Sequence, residues 1–269
     1  MVQRRRLDAE LVRRHLATGR TQAQELIRSG SVTVNGMVSD KPARQVLPTD
    51  SVTVLEQTQR YASRGAHKLL GALEAFGPSG LAVTDRLCLD AGASTGGFTD
   101  VLLRAGASHV IAVDVGYGQL RWELQQDPRV TVMDRTNVRS LKPVDLEYRP
   151  QLIVADLSFI SLTLVLPALC ACAATDADQV LLVKPQFEVG RDEVGSGVVT
   201  DLGLRAKAIT DVAAAAAELG WGSVGLCASP LPGPKGNVEF ILWLRPGGLT
   251  VSTERIESVV SQGSPWVRD

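Results

Sequence analysis

The pattern of apolar and polar positions changes partway along the chain. Up to about residue 55, apolar residues recur at helical spacing in two short segments and then alternate with polar residues on both sides of an Asn-Gly pair. From residue 86 onward, short apolar runs alternate with amphipathic segments. The first pattern predicts a small module of two helices and a hairpin. The second predicts a mostly parallel sheet with helices on both faces.

The small module is predicted to fold as helix, helix, hairpin and returning strand. Leu7, Leu11 and His15 recur one helical turn apart in the first helix. Thr21 can cap the second helix, and Gly30 can end it. Asn-Gly is the strongest short-range signal for a hairpin, so "SVTVNGMVSD" is predicted to form one, and "DSVTVLE" supplies a further strand.

The larger region is predicted to contain seven strands. They are "RLCLDAG", "HVIAVD", "RVTVMD", "QLIVAD" and "QVLLVK", followed by strands near 223–228 and 238–244. Helices are predicted at "SRGAHKLLGALEAF", "GGFTDVLLRAG", "QLRWELQQ" and "ISLTLVLPALCACAA", and around 204–219. The fold class is therefore α/β, and in such sheets ligands bind at the carboxyl ends of the strands.

The charged residues are also unevenly distributed between the N-terminal module and the rest of the chain. The net charge of the 269 residues is −1, yet residues 1–60 hold ten Lys or Arg against six Asp or Glu, which gives +4 and leaves −5 for the remainder. This asymmetry favours a basic module that meets a polyanion. A few arginines on a solvated helix face are the simpler alternative.

The sequence gives little support to membrane or metal functions. Its first residues lack the apolar segment of a signal peptide. The longest nearly apolar run, 162–174, contains Pro167 and is shorter than the ~20 residues that span a bilayer. We therefore expect a cytoplasmic protein without a membrane partner. The four cysteines form no C-x-x-C pair, so reduced thiols are expected and no metal site is predicted.

A glycine-rich turn follows the first predicted strand of the sheet. In "LDAGASTGGFTDVLL", Gly92 allows a tight turn, and Gly96 and Gly97 let backbone amides approach a ligand before a helix begins. Asp114 ends the next strand, where a carboxylate can accept hydrogen bonds from both hydroxyls of a ribose. The turn lacks the G-x-G-x-x-G fingerprint and the lysine of a phosphate-binding loop. An adenosine ligand without phosphates fits better, and S-adenosylmethionine is the common one.

Charged side chains stand at the ends of other strands. Asp156 ends the predicted strand in "LIVADLSF", and Lys184 ends the one in "LLVKPQFE". Glu239 is predicted just inside the last long strand. Lys68 is carried by the helix upstream of the sheet. Because ligands bind where strands end, two lysines and two carboxylates are expected to converge in a substrate site. Each has a simpler alternative, such as a surface lysine or a carboxylate that caps a turn.

The small module resembles the αL RNA-binding domain shared by a small-subunit ribosomal protein, pseudouridine synthases and tyrosyl-tRNA synthetases. The resemblance covers about residues 3–55 and depends on the "LD" start and the block "GRTQAQELIRSGSVTVNG". It implies basic side chains that contact phosphates and position RNA without reading its sequence. The candidates within the module are Arg4, Arg5, Arg6, Arg13, Arg14, Arg20 and Lys41, and Arg64, which follows it, is a further candidate for RNA binding.

Over about residues 3–245 the chain resembles the TlyA family of ribosomal RNA 2′-O-methyltransferases, which are also known as hemolysin-like proteins. The motifs that carry the resemblance are "SRGAHKL", "DAGASTGGFTDVLL", "DVGYGQL", "DRTNVR", "VADLSFISL", "LVKPQFEVG" and "PLPGPKGNVEFILWL". It implies a Rossmann-like class I methyltransferase domain of the FtsJ type, with a seven-stranded, mostly parallel sheet, joined to the small α+β RNA-binding domain. The Lys-Asp-Lys-Glu catalytic set of that group falls on Lys68, Asp156, Lys184 and Glu239.

The resemblance also implies transfer of a methyl group from S-adenosylmethionine to the ribose 2′-hydroxyl of cytidine in small- and large-subunit ribosomal RNA. Ribosomal RNA or ribosomal subunits would then be the partner. Lys184 is the candidate that orients or deprotonates the hydroxyl, and the sequence leaves these two roles open. The residues expected to hold the cofactor are Asp90, Gly92, Ala93, Ser94, Thr95, Gly96, Gly97, Phe98, Asp114, Asp134, Asn137 and Asp156.

The predicted domain boundaries follow these matches. Residues 1–56 are predicted to form the αL RNA-binding domain, 57–63 a linker, 64–246 the methyltransferase domain and 247–269 a C-terminal tail. The tail has no clear role and is expected to be disordered. The segment 190–201 is expected to be a mobile loop or a substrate lid.

Three alternatives stay open from the sequence alone. The chain could be a non-catalytic RNA-binding or ribosome-assembly factor, although lysines and carboxylates at all four positions argue against it. It could be a membrane-active hemolysin, which the lack of a spanning segment argues against. It could also methylate transfer RNA or another ribosomal nucleotide. The oligomeric state is left unknown.

Overall fold

The computed structural model describes residues 4–55, 61–190, 197–233 and 235–263. The chain divides into two compact units, Met1–Arg64 and Gly65–Asp269, each with its own buried core. Most of the predicted linker and half of the predicted lid fall outside the described residues.

The smaller unit consists of two helices and five short strands around one apolar core. The helices are α1 (Leu7–Arg13) and α2 (Arg20–Arg28), and the strands are β1 (Arg5–Arg6), β2 (Val32–Val34), β3 (Met37–Val38), β4 (Gln45–Val46) and β5 (Val52–Val54). Strand β2 pairs with β3 and β5, and β1 pairs with β4, all antiparallel. Leu11, Ile27 and Val32 are fully buried together, so both helices pack on the sheet.

The predicted hairpin at Asn35-Gly36 is confirmed between β2 and β3. Both residues have positive φ, 54° and 80°, as a tight turn in a twisted hairpin requires. The predicted cap at Thr21 was wrong, because α2 begins after Gly19, which is extended, and no side chain of the described residues caps the helix. The first helix is shorter than predicted, since His15 already takes φ 56°.

The larger unit has the predicted seven-stranded sheet. Its strands are β6 (Leu87–Ala91), β7 (His109–Val113), β8 (Val130–Met133), β9 (Leu152–Ala155), β10 (Asp178–Val183), β11 (Trp221–Ala228) and β12 (Phe240–Pro246). Its helices are α3 (Ala66–Phe76), α4 (Gly97–Arg104), α5 (Trp122–Gln125), α6 (Leu162–Cys172), α7 (Pro185–Glu188), α8 (Leu202–Glu218) and α9 (Thr253–Gln262). The strand order is β11-β12-β10-β9-β6-β7-β8. Strand β12 is antiparallel to both neighbours, and the other pairs are parallel.

Strand β10 is apolar without interruption because helices cover both of its faces. Leu181 and Val183 belong to the core cluster formed with α6, α8 and α9. Val180 and Leu182 lie against residues of α3 and α4 on the other face. A strand buried on both faces loses the usual alternation of apolar and polar residues. Lys184 is therefore the first residue beyond the covered strand.

The chain order creates a crevice between β6 and β9. Strands β6, β7 and β8 follow one another toward one edge, and the chain then returns to place β9 on the other side of β6. Open α/β sheets bind ligands at the carboxyl ends of strands where the order reverses in this way. Gly92 directly follows β6, and Asp156 directly follows β9. Two of the predicted site residues thus lie on opposite sides of this crevice.

The predicted disorder of the C-terminal tail was wrong for its described part. Helix α9 buries Ile256, Val259 and Val260 in the main core, and the Ser252 side chain caps its first turn. These three residues have the i, i+3, i+4 spacing of an amphipathic helix, a signal that the sequence contains and the prediction did not use. The tail is therefore part of the folded unit up to Gly263.

Candidate active site

An ion-pair network lies at the carboxyl ends of β9 and β10, with Asp156 at its centre. Asp156 Oδ1 lies 2.6 Å from Lys184 Nζ, and Asp156 Oδ2 lies 3.2 Å from Lys68 Nζ. Lys68 Nζ also lies 2.8 Å from Glu239 Oε2. The structure thus brings together four side chains that the sequence places on separate elements.

The sheet topology explains why these residues meet. Asp156 and Lys184 directly follow two neighbouring parallel strands, β9 and β10. Glu239 precedes β12 rather than lying inside it, contrary to the prediction. Because β12 is antiparallel to β10, its first residues lie at the same edge where β10 ends. Lys68 reaches this edge from the first turn of α3.

Burial makes the charge pairing in this network necessary. Glu239 is 1% exposed and Lys184 6%, and an unpaired charge at such a depth costs several kcal/mol. Desolvation opposes the charge of Lys68, but Asp156 and Glu239 outweigh it and raise the pKa of Lys68. Desolvation likewise opposes the charge of Asp156, but the two lysines outweigh it and lower the pKa of Asp156. Lys68 is therefore held as an ammonium ion, and Asp156 as a carboxylate.

Lys184 has a different environment from Lys68. It pairs with one carboxylate, Asp156, and donates a hydrogen bond to Ser158 Oγ at 2.9 Å. The ring of Phe187 lies 5.9 Å from its Nζ. Both polar partners of Lys184 line an adjacent cavity, so this lysine is held directly behind the cavity wall.

The cavity has a volume of about 540 Å³ and lies at the crevice between β6 and β9. Five of the predicted cofactor-binding residues line it: Gly92, Ser94, Asp114, Asn137 and Asp156. Apolar side chains complete the wall, among them Val138, Leu157 and Ile160. A mostly apolar pocket with a few convergent polar groups is typical of a small-molecule site.

Gly92 and Asp114 shape the polar side of the cavity. Gly92 has φ 86°, and a Cβ atom there would lie 2.8 Å from the backbone oxygen of Asp156. Glycine therefore permits the close approach of the two strand ends. Asp114 accepts backbone N–H groups from Ser94 at 2.8 Å and from Gly116 at 2.7 Å, one on each oxygen. Each carboxylate oxygen keeps a second lone pair for a ligand hydroxyl.

The other predicted cofactor-binding residues do not line this cavity. They are Asp90, Ala93, Thr95, Gly96, Gly97, Phe98 and Asp134. At Gly96 a Cβ atom would lie 2.2 Å from the Leu124 side chain, so the glycine serves packing against α5. Asp134 accepts the backbone N–H of Gly118 at 2.8 Å and so fixes a loop beyond the cavity.

The sequence prediction missed aromatic residues on the loops at this edge of the sheet. Phe159 is 91% exposed with φ 65°, and its ring centroid lies 5.2 Å from that of Phe187. Tyr117 is also exposed, and the Arg135 guanidinium lies 4.3 Å from its ring centroid. Phe159 lines the cavity together with Ser158. The sequence signal that could have identified Phe159 is an aromatic residue in the short segment between the end of a strand and the next helix.

Buried carboxylates organise the arginines of the smaller unit. Asp8 accepts two hydrogen bonds from Arg6, which hold the pKa of Asp8 at about 2. Glu10 accepts hydrogen bonds from Arg13 and Arg14, and its pKa is lowered to about 2, mainly by Arg13. These carboxylates stay ionised and fix the guanidinium groups of the three arginines.

The eight predicted RNA-binding residues therefore differ in how accessible they are. Arg14 donates to the backbone oxygens of Asp50 at 2.8 Å and Pro48 at 3.1 Å, so its guanidinium has a structural role. Arg64 pairs with Asp40. The exposed members of the set are Arg4, Arg5, Arg6, Arg13, Arg20 and Lys41.

Two family models match the chain. Residues 61–246 match the FtsJ-like methyltransferase model, and residues 5–52 match the S4 domain model. The 16S/23S rRNA (cytidine-2′-O)-methyltransferase TlyA of Mycobacterium tuberculosis is 61% identical over 247 residues, which are 91% of each chain. The 23S rRNA (cytidine-2′-O)-methyltransferase TlyA of Campylobacter jejuni is 33% identical over 86% of this chain and 96% of its own.

A solved structure extends the similarity to the whole fold. A protein of Streptococcus thermophilus described as a candidate hemolysin is 39% identical, with a TM-score of 0.74 over 97% of this chain and 96% of its own. Among the helices of the described ranges, none has both the length and the apolar character needed to cross a membrane.

The larger unit is thus a methyltransferase domain, and the smaller unit is an S4 domain. The chain belongs to the FtsJ-like methyltransferases and, within them, to the TlyA family. The predicted fold, a Rossmann-like methyltransferase domain with an N-terminal RNA-binding domain, is confirmed.

Asp90 lies at the end of β6, next to the cavity residues in sequence, but fully buried. Thr99 Oγ1 donates to its Oδ2 at 2.6 Å, and its Oδ1 has no hydrogen-bond partner among the described residues. Burial raises the pKa of Asp90 to about 7, and the Thr99 hydrogen bond offsets this only in part. In the unfolded chain the group ionises near pH 3.8. The stability that neutral Asp90 contributes is therefore lost as the pH rises from about 4 to about 7.

We expect Asp90→Asn to weaken this pH dependence, because an amide does not ionise. Through Asp90, the wild type should lose a few kcal/mol of unfolding free energy over that interval, and the variant should lose less. Urea unfolding at about pH 5 and about pH 8 measures the difference. Asp176→Asn, at an exposed aspartate, should follow the wild type. Equal losses in the wild type and Asp90→Asn would contradict the account.

Proposed function

We propose that this protein transfers a methyl group from S-adenosylmethionine to the ribose 2′-hydroxyl of cytidine in small- and large-subunit ribosomal RNA. The observation that supports this most is the Asp156-centred network beside a cavity of nucleoside size. The names of the two TlyA relatives support the choice of cytidine and of the 2′-hydroxyl. The relative with 61% identity supports both ribosomal subunits as targets.

The cavity residues suit S-adenosylmethionine. Asp114 offers a lone pair on each carboxylate oxygen to the two ribose hydroxyls. Val138 and Ile160 offer apolar surface for an adenine ring, with the Asn137 side chain beside them. The backbone turn at Gly92 lets the two strand ends that bound the cavity lie close together. When bound, the cofactor supplies an electrophilic methyl group on a sulfonium ion.

The lysine network can prepare a ribose hydroxyl for attack. A hydroxyl is a weak nucleophile, so it must be oriented in line with the methyl group, and its proton must pass to an acceptor such as water. Lys184 is the candidate that contacts the hydroxyl oxygen, because both of its polar partners line the cavity. Lys68 and Lys184 keep Asp156 ionised, and Glu239 pairs with Lys68 on its other side. Asp156 in turn holds the Lys184 side chain in place.

Ribosomal RNA or ribosomal subunits are the proposed partner. The exposed basic residues of the S4 domain can contact phosphates, which positions RNA without reading its sequence. On the catalytic domain, Phe159 offers an exposed ring at the cavity. Aromatic side chains of this kind stack on unpaired RNA bases. A cytidine extruded from its stack would thus find both a stacking partner and the lysine network.

Methyl transfer from labelled S-adenosylmethionine to isolated ribosomal subunits tests the proposal. We expect the wild type to label ribosomal RNA and Lys184→Ala to lose about 100-fold or more in rate, because the hydroxyl is no longer oriented. Lys207→Ala is a matched control, since this lysine is exposed on α8 and pairs with Asp211. It should retain the wild-type rate.

The other outcomes of this experiment separate the alternatives. Ribosomal RNA that stays unlabelled while the protein still binds it would contradict the proposal and favour a non-catalytic RNA-binding factor. Label in transfer RNA alone would keep the enzyme and change its target. Calorimetric binding of S-adenosylmethionine to Lys184→Ala checks that this variant is folded.

Arg20 provides a test of the RNA-binding surface. Its side chain is 63% exposed and lies 3.8 Å from Asp8, so it is oriented yet accessible. We expect Arg20→Ala to weaken binding to ribosomal RNA fragments of different sequence alike and to reduce the salt slope of log K by about one. Fluorescence anisotropy over a range of salt concentrations measures both. Arg20→Lys should keep the slope, and a wild-type slope in Arg20→Ala would exclude a phosphate contact.

A further inference from the structure

We propose that Ser158 is a positioning residue that fixes the direction in which the Lys184 ammonium group meets the substrate. The proposal rests on the proposed function, because Lys184 is taken to contact the ribose hydroxyl. Ser158 lies two residues beyond Asp156, in the segment between β9 and α6. It was not among the residues predicted from the sequence.

The hydrogen-bond geometry of Lys184 carries the inference. An ammonium group has three N–H bonds in tetrahedral directions. One is taken by Asp156 Oδ1 at 2.6 Å and a second by Ser158 Oγ at 2.9 Å. Two fixed partners set the rotation of the group about its carbon–nitrogen bond, and so they also set the direction of the third N–H. With Asp156 alone, only one hydrogen bond would restrain this rotation, and the third N–H would be held less firmly.

The position of Ser158 relative to the cavity gives this contact a functional meaning. Lys184 is buried, whereas Ser158 is exposed and lines the cavity. The serine hydroxyl therefore hydrogen-bonds to the buried lysine from the wall of the cavity. Within the described ranges Lys68 has no hydroxyl partner of this kind, and its ammonium lies between the carboxylates of Asp156 and Glu239. The contact with the serine hydroxyl is thus the difference between Lys184, which is proposed to meet the substrate, and Lys68, which balances the charge of the two carboxylates.

The segment that carries Ser158 is held by the same element that carries Lys184. Glu188 accepts a hydrogen bond from Ser161 Oγ at 2.6 Å and from the backbone N–H of Leu162 at 2.9 Å. Glu188 is the last residue of α7, whose first residue directly follows Lys184. The lysine and the anchor of the serine loop are therefore on one short segment, which keeps the distance between Lys184 and Ser158 fixed.

The variant Ser158→Ala tests whether Ser158 orients the Lys184 ammonium group or only packs against it. We expect kcat to fall about tenfold, with KM for S-adenosylmethionine and for RNA changed less than about twofold, because an orientation is lost rather than a binding contact. Ser158→Thr keeps a hydroxyl at the same position and should restore most of kcat. Ser108→Ala is a matched control at an exposed serine before β7, at the opposite edge of the sheet. An unchanged kcat in Ser158→Ala, or no recovery in Ser158→Thr, would overturn the proposal.

A second measurement does not depend on methyl transfer. Nitrogen-15 NMR of lysine side chains can follow hydrogen exchange of the Lys184 ammonium, whose signal is assigned by its loss in Lys184→Ala. We expect slow exchange in the wild type and Ser158→Thr, and clearly faster exchange in Ser158→Ala. Equal exchange in all three proteins would refute the positioning role. If no RNA accepts methyl groups, the proposed function fails, whereas the NMR comparison still decides whether Ser158 fixes Lys184.

Discussion

Two buried lysines share one edge of the sheet because a single carboxylate lies between them. Asp156 offers one oxygen to Lys184 and the other to Lys68, and Glu239 supplies the second negative charge. Without these partners, desolvation and mutual repulsion would disfavour both ammonium ions. The balance of two positive and two negative side chains therefore lets a polar cluster exist at this depth. It also holds the Lys184 side chain in one place, which alignment of a weak nucleophile requires.

The sheet topology and this cluster depend on each other. The reversal of strand order between β6 and β9 creates the crevice. The two strand ends lie so close together that a Cβ atom at position 92 would collide with the Asp156 backbone, which is why glycine is needed there. The antiparallel direction of β12 brings Glu239 to the same edge. The cavity and the ion-pair network are therefore neighbours because a few backbone contacts join the ends of these strands. A change in the register of β9 would displace both at once.

The sequence predicted the parts of this arrangement that follow from local pattern. The uninterrupted apolar run of β10, the glycine-rich turn and the charged residues at strand ends indicated the sheet and the edge where Asp156 and Lys184 lie. Ser158 could not be found in this way, because its partner Lys184 follows a different strand and a serine after a strand is common in turns. Arg14 looked like its exposed neighbours until the fold brought the carbonyls of Asp50 and Pro48 to it. Helix α9 was missed although its apolar spacing is visible in the sequence.

The identity of the methylated atom tests the central claim most directly. Ribosomal subunits would be incubated with the wild-type protein and S-adenosylmethionine, and the RNA digested to nucleosides for mass spectrometry. The account predicts cytidine with the added methyl group on its ribose, in a linkage that resists alkaline cleavage at the adjacent phosphate. A methyl group on a base carbon or nitrogen would contradict the account, because the lysine network would then have no hydroxyl to orient.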